Sequence, residues 1–272
     1  MDDLISADRA WIRDLEHVFK YGNRVSPRGM LVYESLALTS TISMKNPVIL
    51  NEHRKLGYRF MAAEAAWILS GDDRVSTIAP YSKEISKFSD DGEKFFGAYG
   101  PKIKSQVDYV VATLLNDINS RQAVINIWRE NPGPTKDVPC TLSLQFLVRH
   151  NMLHCVASMR SSDLWLGHPY DIVNFSAISF AVLLQLMTLF EDQVDLVLEL
   201  GNLFLTAGSK HIYERNSPDV GMVLEQFEEH GTPVGYSRPL FNPSKYDDAD
   251  EFVEHLWDCA NSPEGLLTMF EG

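Results

Sequence analysis

The amino-acid sequence predicts an α+β fold, with a mixed β-sheet around one long buried helix and further helices on the open side of the sheet. Short runs rich in Val, Ile, Leu and Phe are interspersed with segments of helical spacing, a mixture typical of this class. The stretch 172–190 is apolar on most sides, which indicates a helix in the middle of a large protein. The 272 residues, 45% of them apolar, can bury a sizeable core, and we expect one domain over 1–272.

The first half of the chain gives helices around a hairpin-like stretch. Trp11, Leu15 and Val18 recur at helical spacing, and Asn51 is a candidate N-cap for a helix that stops at Gly71. The predicted elements are a helix over 7–20, a loop over 22–29, a hairpin-like stretch over 31–44, a helix over 51–70, an irregular segment over 82–100 and a helix over 104–116.

In the second half, strand-like runs flank the long apolar stretch. Pro169 precedes that stretch and Glu191-Asp192 follows it, which bounds a helix. Its length is about that of a bilayer span, but polar residues such as Asn174 and Gln185 interrupt it, so we predict a buried core helix. The predicted strands cover 124–128, 141–149, 153–159 and 203–207, and the part after 216 mixes short helices and loops.

The charge of the protein argues against a nucleic-acid partner. A formal charge of −13 and a pI near 5.0 give an overall field that repels a polymer of phosphates. A single mononucleotide phosphate needs only a few converging arginines and stays open as a ligand.

The cysteine pattern indicates neither a disulfide framework nor a metal site. The three cysteines, Cys140, Cys155 and Cys259, are far apart and contain no Cys-x-x-Cys pair. His150 and His154 lie near Cys155 without completing a set of zinc ligands. The acidic N-terminus shows no apolar stretch of a secretory signal, so we expect a reducing compartment, the cytoplasm.

Cys140, in Val138-Pro139-Cys140-Thr141, is the candidate nucleophile. The thiolate is the reactive form, and a nearby cation favours it at neutral pH, for which Arg160 is the obvious candidate. Taken alone, Cys140 is better explained as a small buried apolar residue. The strings around it change that balance.

Together these strings resemble the active-site half of the thymidylate synthase family. The resemblance extends from about residue 22 to residue 216, and the strings occur in the family's order, which makes a chance similarity a poor explanation. Besides Cys140 they are Ser26-Pro27-Arg28-Gly29, Asn119-Ser120-Arg121, Arg160-Ser161-Ser162-Asp163, Leu166-Gly167-His168-Pro169-Tyr170-Asp171 and Gly208-Ser209-Lys210-His211-Ile212-Tyr213.

The resemblance implies a phosphate site shared between two subunits. Arg28, Arg160 and Ser161 of one subunit would hold the phosphate with Arg121 of the other, so a homodimer is expected. For Arg28 and Arg121, a surface arginine paired with an acid remains the alternative. The family usually has a second arginine where this chain has Gln122, which is a departure from its donor set.

The resemblance also implies contacts to the sugar and to a folate. His211 and Tyr213, alternating along an extended stretch, would point the same way and bind the sugar hydroxyl. Asp163 matches the aspartate that binds the pterin ring, and Trp67 and Gly167 would contribute to the same site. The implied co-substrate is 5,10-methylenetetrahydrofolate, with no metal. For Trp67 the alternative is a core or cleft-wall side chain.

Glu64 is the candidate general acid and base. It lies between Phe60 and Trp67 on the apolar face of its helix, where burial raises the pKa of a carboxyl toward neutrality. A glutamate that reaches solvent is the alternative, which the surrounding Ala-Ala-Glu-Ala-Ala-Trp disfavours. The family's catalytic glutamate has this place.

Asp171 is the residue that selects the base. It stands where the family has an asparagine that reads uracil, whereas cytosine presents an acceptor at N3 and an amine at C4. An aspartate accepts from the amine, and its protonated form also donates to N3. Opposite a uracil carbonyl, two acceptors would face each other. A helix N-cap is the alternative role of Asp171.

These residues predict folate-dependent 5-hydroxymethylation of dCMP. The deoxycytidylate hydroxymethylases of bacteriophages have the same aspartate, and also a threonine after the nucleophile, as Thr141 is here. The ending 267–272 does not resemble the short apolar tail that excludes water in thymidylate synthases, which favours water over hydride. A dCMP 5-methyltransferase, a CMP hydroxymethylase and a non-catalytic nucleotide-binding protein remain alternatives.

Overall fold

A mixed β-sheet forms the centre of the protein, whose computed structural model describes residues 6–190, 198–231 and 239–270. Over these residues the sheet has six strands in the order β1-β2-β6-β5-β4-β3. Only β5 and β6 pair in parallel in this part of the chain. The strands are β1 (Asn23–Val25), β2 (Val32–Ser43), β3 (Val124–Asn126), β4 (Thr141–Arg149), β5 (Met152–Asp163) and β6 (Glu199–Tyr213).

The α-helices pack on the face of the sheet that points to the core. They are α1 (Ala7–Tyr21), α2 (Tyr58–Leu69), α3 (Val75–Ile78), α4 (Gly100–Lys104), α5 (Val107–Asn116), α6 (His168–Phe190), α7 (Ser217–His230) and α8 (Ala249–Asn261). Short 3₁₀ helices cover Pro27–Gly29, Glu52–Arg54, Ile85–Phe88, Glu214–Asn216, Pro243–Lys245 and Gly265–Phe270.

The long buried helix is confirmed as α6, the crossover that connects the parallel strands β5 and β6. The part long and apolar enough to cross a membrane, His168–Leu189, is 78% buried within the fold over its most apolar window. Its serines are accommodated because Ser176 and Ser179 donate their hydroxyls to carbonyls one turn back, both at 2.7 Å. The α+β class with a mixed sheet around this helix is therefore confirmed.

A buried ion pair connects α1 to the sheet. Lys210 on β6 donates to Asp14 Oδ2 at 3.0 Å, and both side chains are almost fully inaccessible to solvent. Ser40 on β2 lies between them and hydrogen-bonds to each. The pair holds α1 against the two strands, one of which continues directly into His211.

The pairing of β5 with β6 aligns two of the predicted site residues. Asp163 at the end of β5 is the register partner of His211 on β6, and the Leu164 amide donates to the His211 carbonyl at 2.9 Å. The same end of the sheet therefore carries the predicted pterin-binding and sugar-binding residues.

Several predicted boundaries were wrong. The stretch 31–44 is one long strand, β2, paired with β6 along most of its length, not a hairpin. Asn51 caps only the 3₁₀ helix Glu52–Arg54, because Lys55 adopts a left-handed conformation (φ 49°) and α2 starts at Tyr58. The helix over 104–116 is two helices, α4 and α5.

The strands also differ in length from the prediction. The strand over 141–149 is confirmed as β4, whereas β3 ends at Asn126, before the predicted limit. The strands over 153–159 and 203–207 extend to Met152–Asp163 and Glu199–Tyr213. The acidic N-terminus, Glu191-Asp192 after the long helix, and the last two residues of the tail lie outside the described residues.

Candidate active site

A cleft with an empty volume of about 660 Å³ opens between α2, the start of α6 and the loops that precede α4 and β4. Three of the predicted catalytic residues, Cys140, Glu64 and Asp171, line this one cleft although they are far apart in sequence. The other lining residues are Trp67, Ile68, Ile85, Phe88, Phe95, Gly97, Ala98, Tyr99, Asp137, Val138, Pro139 and Asn174.

Arg160 fixes the loop that presents Cys140. Its backbone amide donates to the Cys140 carbonyl at 2.8 Å, and its guanidinium donates to the carbonyls of Pro139 at 2.9 Å and Val138 at 2.8 Å. Two arms of the guanidinium fork are thus used to hold the loop. The geometry explains why a residue on β5 determines the position of a thiol that precedes β4.

The electrostatics around Cys140 are balanced between opposing charges. Burial raises the pKa of the Cys140 thiol above its ordinary value, and the charges of Asp171 and Asp137 raise it further. Arg160 lowers this pKa, as predicted from the sequence, and Arg28 lowers it as well. The arginine therefore acts in the expected direction, but burial outweighs it.

Glu64 and Asp171 form a pair of acids with a shared environment. Burial raises the pKa of Glu64 from 4.5 to about 7, against a lowering effect of the hydrogen bond from Asn174 Nδ2 at 2.8 Å. Burial also raises the pKa of Asp171 well above its usual range, and the negative charge of Glu64 adds to that. Both acids therefore favour the protonated form, which suits proton transfer near neutral pH.

Asp171 does not cap the helix, because α6 already begins at His168. Its backbone amide donates to the Gly167 carbonyl at 3.0 Å, so it lies within the first turn. A Cβ at Gly167 would lie 3.7 Å from Asp171 Oδ2, so the glycine borders the carboxyl. The N-cap alternative is thus wrong, and the side chain lines the cleft.

Tyr99 and Asp137 complete the wall around Cys140. The Tyr99 hydroxyl oxygen accepts from the Thr141 amide at 3.3 Å and from the Thr141 hydroxyl at 3.0 Å. Asp137 Oδ2 accepts from the Gly97 amide at 2.7 Å. These contacts tie the loop before α4 to the loop that carries the thiol.

The residues predicted to contact sugar and pterin lie at the shared end of β5 and β6. The ring of His211 lies 5.3 Å from that of Tyr213, centroid to centroid. His211 Nδ1 is buried and has no hydrogen-bond partner among the described residues. Asp163 Oδ1 accepts from the amides of Trp165 at 2.9 Å and Leu166 at 3.0 Å, and burial raises the pKa of its carboxyl.

The remaining predicted residues lie at varying distances from this centre. Trp67 lines the cleft and packs edge-to-face against Phe95 at 5.6 Å, while its Nε1 is buried without a partner in the described part of the chain. Ser161 is half-buried on β5, and Arg28 is exposed in a left-handed conformation (φ 52°). Arg121 is exposed between α5 and β3 and is not among the residues that line the cleft.

Sequence reasoning missed Tyr99, Asp137 and Asn174. Asn174 had a detectable signal, because it follows Asp171 by three positions and so shares its helix face. Tyr99 lay in a stretch interpreted as irregular, where periodicity gives no information. Asp137 precedes Cys140 by three residues, but nothing in the sequence indicates that its side chain turns into the cleft.

Comparison with known proteins agrees with this geometry. Residues 9–237 match the thymidylate synthase family model. The chain is 30% identical over 224 residues to a deoxyuridylate hydroxymethyltransferase of Bacillus phage SP01, an alignment covering 73% of this chain and 55% of that protein. The chain thus spans little more than half of the phage protein's length.

Two cellular relatives are thymidylate synthases. The enzyme of Vesicomyosocius okutanii subsp. Calyptogena okutanii (strain HA) is 26% identical over 211 residues, covering 72% of this chain and 75% of the relative. That of Buchnera aphidicola subsp. Baizongia pistaciae (strain Bp) is 25% identical over 217 residues, covering 74% and 78%. Because the family match spans most of the sequence, the chain belongs to the thymidylate synthase family.

Proposed function

We propose that this protein catalyses folate-dependent 5-hydroxymethylation of dCMP. Family membership supports one-carbon transfer from a folate to a pyrimidine nucleotide. The observation that carries the finer proposal is the acid Asp171, which lines one cleft with Glu64 and Cys140. An acid at this place selects a base that presents an amine.

The electrostatics of Asp171 favour cytosine over uracil. Because burial and Glu64 raise its pKa, the protonated carboxyl can donate to N3 while its other oxygen accepts from the 4-amine. Uracil presents N3–H and a carbonyl, which a protonated acid can also match in principle, but the ionised form cannot. The amine of cytosine is served by both forms of the acid, so cytosine is the better ligand over the whole titration.

The chemistry begins at the thiol of Cys140. Its addition to C6 of the ring makes C5 nucleophilic, and protonated acids near the ring stabilise the charge that develops on it. Glu64, with a pKa raised to about 7, can hold or release a proton at neutral pH. 5,10-Methylenetetrahydrofolate would supply the one-carbon unit to C5. Water then adds to the exocyclic methylene of the nucleotide, and departure of Cys140 restores the ring.

The residues for the phosphate, sugar and folate are proposed from the family resemblance. Arg28, Arg160 and Ser161 would hold the phosphate, with His211 and Tyr213 at the sugar. The unpartnered His211 Nδ1 fits a ligand hydroxyl.

The folate site would consist of Asp163, Trp67 and Gly167. Both backbone contacts of Asp163 use Oδ1, which leaves Oδ2 available to a pterin amine. Trp67 lines the cleft, and its buried Nε1 offers an unpaired donor to a ligand. The donor set present thus fits a folate.

We also propose a homodimer in which Arg121 completes the phosphate site of the partner subunit. The sheet face opposite the helices carries Phe204, Val156 and Thr41 in one row, a surface suited to self-association. Arg121 does not line the cleft of its own subunit, as far as the described residues show, so it would act across the interface. Mixing Arg121→Gln with Cys140→Ala subunits should then restore part of the activity.

The other proposals on the whole molecule follow the same line. We propose that 1–272 forms one catalytic domain and that it acts in the cytoplasm, which is the host cytoplasm if the gene is viral. The reducing state of this compartment suits a mechanism that needs a free thiol.

Hydroxymethylation of dUMP is the second candidate. It is favoured by the name of the SP01 relative, a deoxyuridylate hydroxymethyltransferase. That name also supports hydroxymethyl over methyl as the transferred group, whichever base is used. A dCMP 5-methyltransferase is the alternative on the product side, and a CMP hydroxymethylase on the sugar side.

A product assay separates these candidates. The protein is incubated with methylenetetrahydrofolate and dCMP, CMP or dUMP, and product mass distinguishes hydroxymethyl from methyl by one oxygen. We expect hydroxymethyl-dCMP, and turnover of dUMP alone would contradict the proposal. Asp171→Asn should change the dCMP to dUMP ratio of kcat/KM by about a hundredfold or more, because it exchanges the hydrogen-bond pattern. Asp137→Asn, which removes another acid from the same cleft, is the matched control and should leave the ratio unchanged.

A further inference from the structure

Asn174 leaves an acceptor unused in the wall of the cleft. It lies on α6 three residues after Asp171, lines the cleft, and is only 3% exposed. Its Nδ2 donates to Glu64 Oε2 at 2.8 Å. Its Oδ1 is buried and has no hydrogen-bond partner within the described ranges.

The contact with Glu64 fixes the orientation of the amide. A carboxylate oxygen accepts and cannot donate, so the Asn174 amide must turn its NH₂ group toward Glu64 and its carbonyl away. Other buried polar side chains of the same helix behave differently, because Ser176 and Ser179 satisfy their hydroxyls on helix carbonyls. Asn174 thus presents a carbonyl that no protein donor satisfies in the described structure, and a ligand with an N–H donor would complete it.

We propose that Asn174 is a second base-selecting residue, whose Oδ1 accepts a hydrogen bond from the exocyclic amine of cytosine. This inference rests on the proposed function. The 4-amine carries two N–H donors, of which Asp171 takes the one beside N3, so the other is left for a second acceptor. In uracil, the carbonyl at C4 would oppose Asn174 Oδ1, and rotating the amide to relieve this would break its bond to Glu64.

Nucleotide binding without folate tests this role apart from chemistry. Dissociation constants of dCMP and dUMP are measured by calorimetry for the wild type, Asn174→Ala and Asn174→Ser. Serine can still donate to Glu64 but has no carbonyl, so it separates the two contacts of Asn174 and provides a second variant if alanine fails to fold. We expect both variants to weaken dCMP by about tenfold relative to dUMP, the usual effect of one hydrogen bond lost.

Ser176→Ala is the matched control, since Ser176 is buried on the same helix and bonds only within it. It should leave the dCMP to dUMP ratio unchanged. Equal weakening of both nucleotides by the Asn174 variants would overturn the inference and reduce Asn174 to a support for Glu64. Selective loss of dUMP would also overturn it, because the amide would then present its NH₂ to the base.

The wild-type protein distinguishes this failure from that of the proposed function. If the wild type prefers dCMP and only the Asn174 variants behave otherwise, the inference alone falls. If the wild type binds and converts dUMP in preference to dCMP, the proposed function falls and the inference with it.

Discussion

Replacement of Glu64 by glutamine should stabilise the protein above neutral pH. Glutamine keeps an oxygen that accepts from Asn174 Nδ2, now at 2.8 Å from Glu64, and removes the charge. The wild-type protein must ionise this carboxyl inside the cleft when the pH rises, which is unfavourable because the group loses its water.

The magnitude follows from the change in pKa. The folded-state pKa of Glu64 is raised to about 7 from 4.5, so the folded state binds the proton more tightly than the unfolded state. The stabilisation is fully present below pH 4.5 and is lost as the pH rises through about 7. At ~1.4 kcal/mol for each pH unit, the loss reaches about 3 kcal/mol. Glu64 is partly accessible from the cleft, so solvent screening makes this an upper value.

Urea denaturation at a series of pH values measures the effect. The free energies of unfolding of Glu64→Gln and wild type should nearly agree at about pH 5 and differ by up to about 3 kcal/mol at about pH 8. The difference between the proteins is the quantity to use, because Asp8, with its pKa raised to about 6, also contributes to the wild-type pH dependence. Glu228→Gln, at an exposed site on α7, is the control. A constant difference across this range would refute the reasoning.

Two further predictions concern charge at the thiol and in the core. Arg160→Gln should slow alkylation of Cys140 by iodoacetamide about threefold or more at neutral pH, and Asp137→Asn should accelerate it, because the first change removes a charge that lowers the thiol pKa and the second one that raises it; equal rates in both variants would contradict this balance. Lys210→Met should lower the free energy of unfolding by about 3–5 kcal/mol, since it leaves the Asp14 charge buried and unpaired, and adding Asp14→Leu should recover much of the loss in urea denaturation.

The elements that the sequence predicts well are those determined by their own residues. The apolar run of α6 and the alternation in β4 contain all the information that is needed. In contrast, β2 resembles a hairpin because its true partner, β6, lies about 170 positions further along the chain. β6 itself continues through Ser209, Lys210 and His211, polar residues that are extended only because β2 and β5 pair with them.

The candidate site shows the same division. The family resemblance brought Cys140, Glu64 and Asp171 into view, and they line one cleft. Tyr99 and Asn174 were missed because their contacts cross between segments, to Thr141 and Glu64 respectively, and only the folded chain brings these segments together.

The crossover from β5 through α6 to β6 has a consequence for how such a protein can change over time. This unit carries Asp163, Asp171 and His211, the groups proposed to recognise the ligands, whereas Cys140 precedes it and Glu64 lies on α2. Recognition and reactivity therefore reside on separate stretches of polypeptide. A descendant that lost the thiol would retain most of its nucleotide contacts and could persist as a sensor of pyrimidine levels.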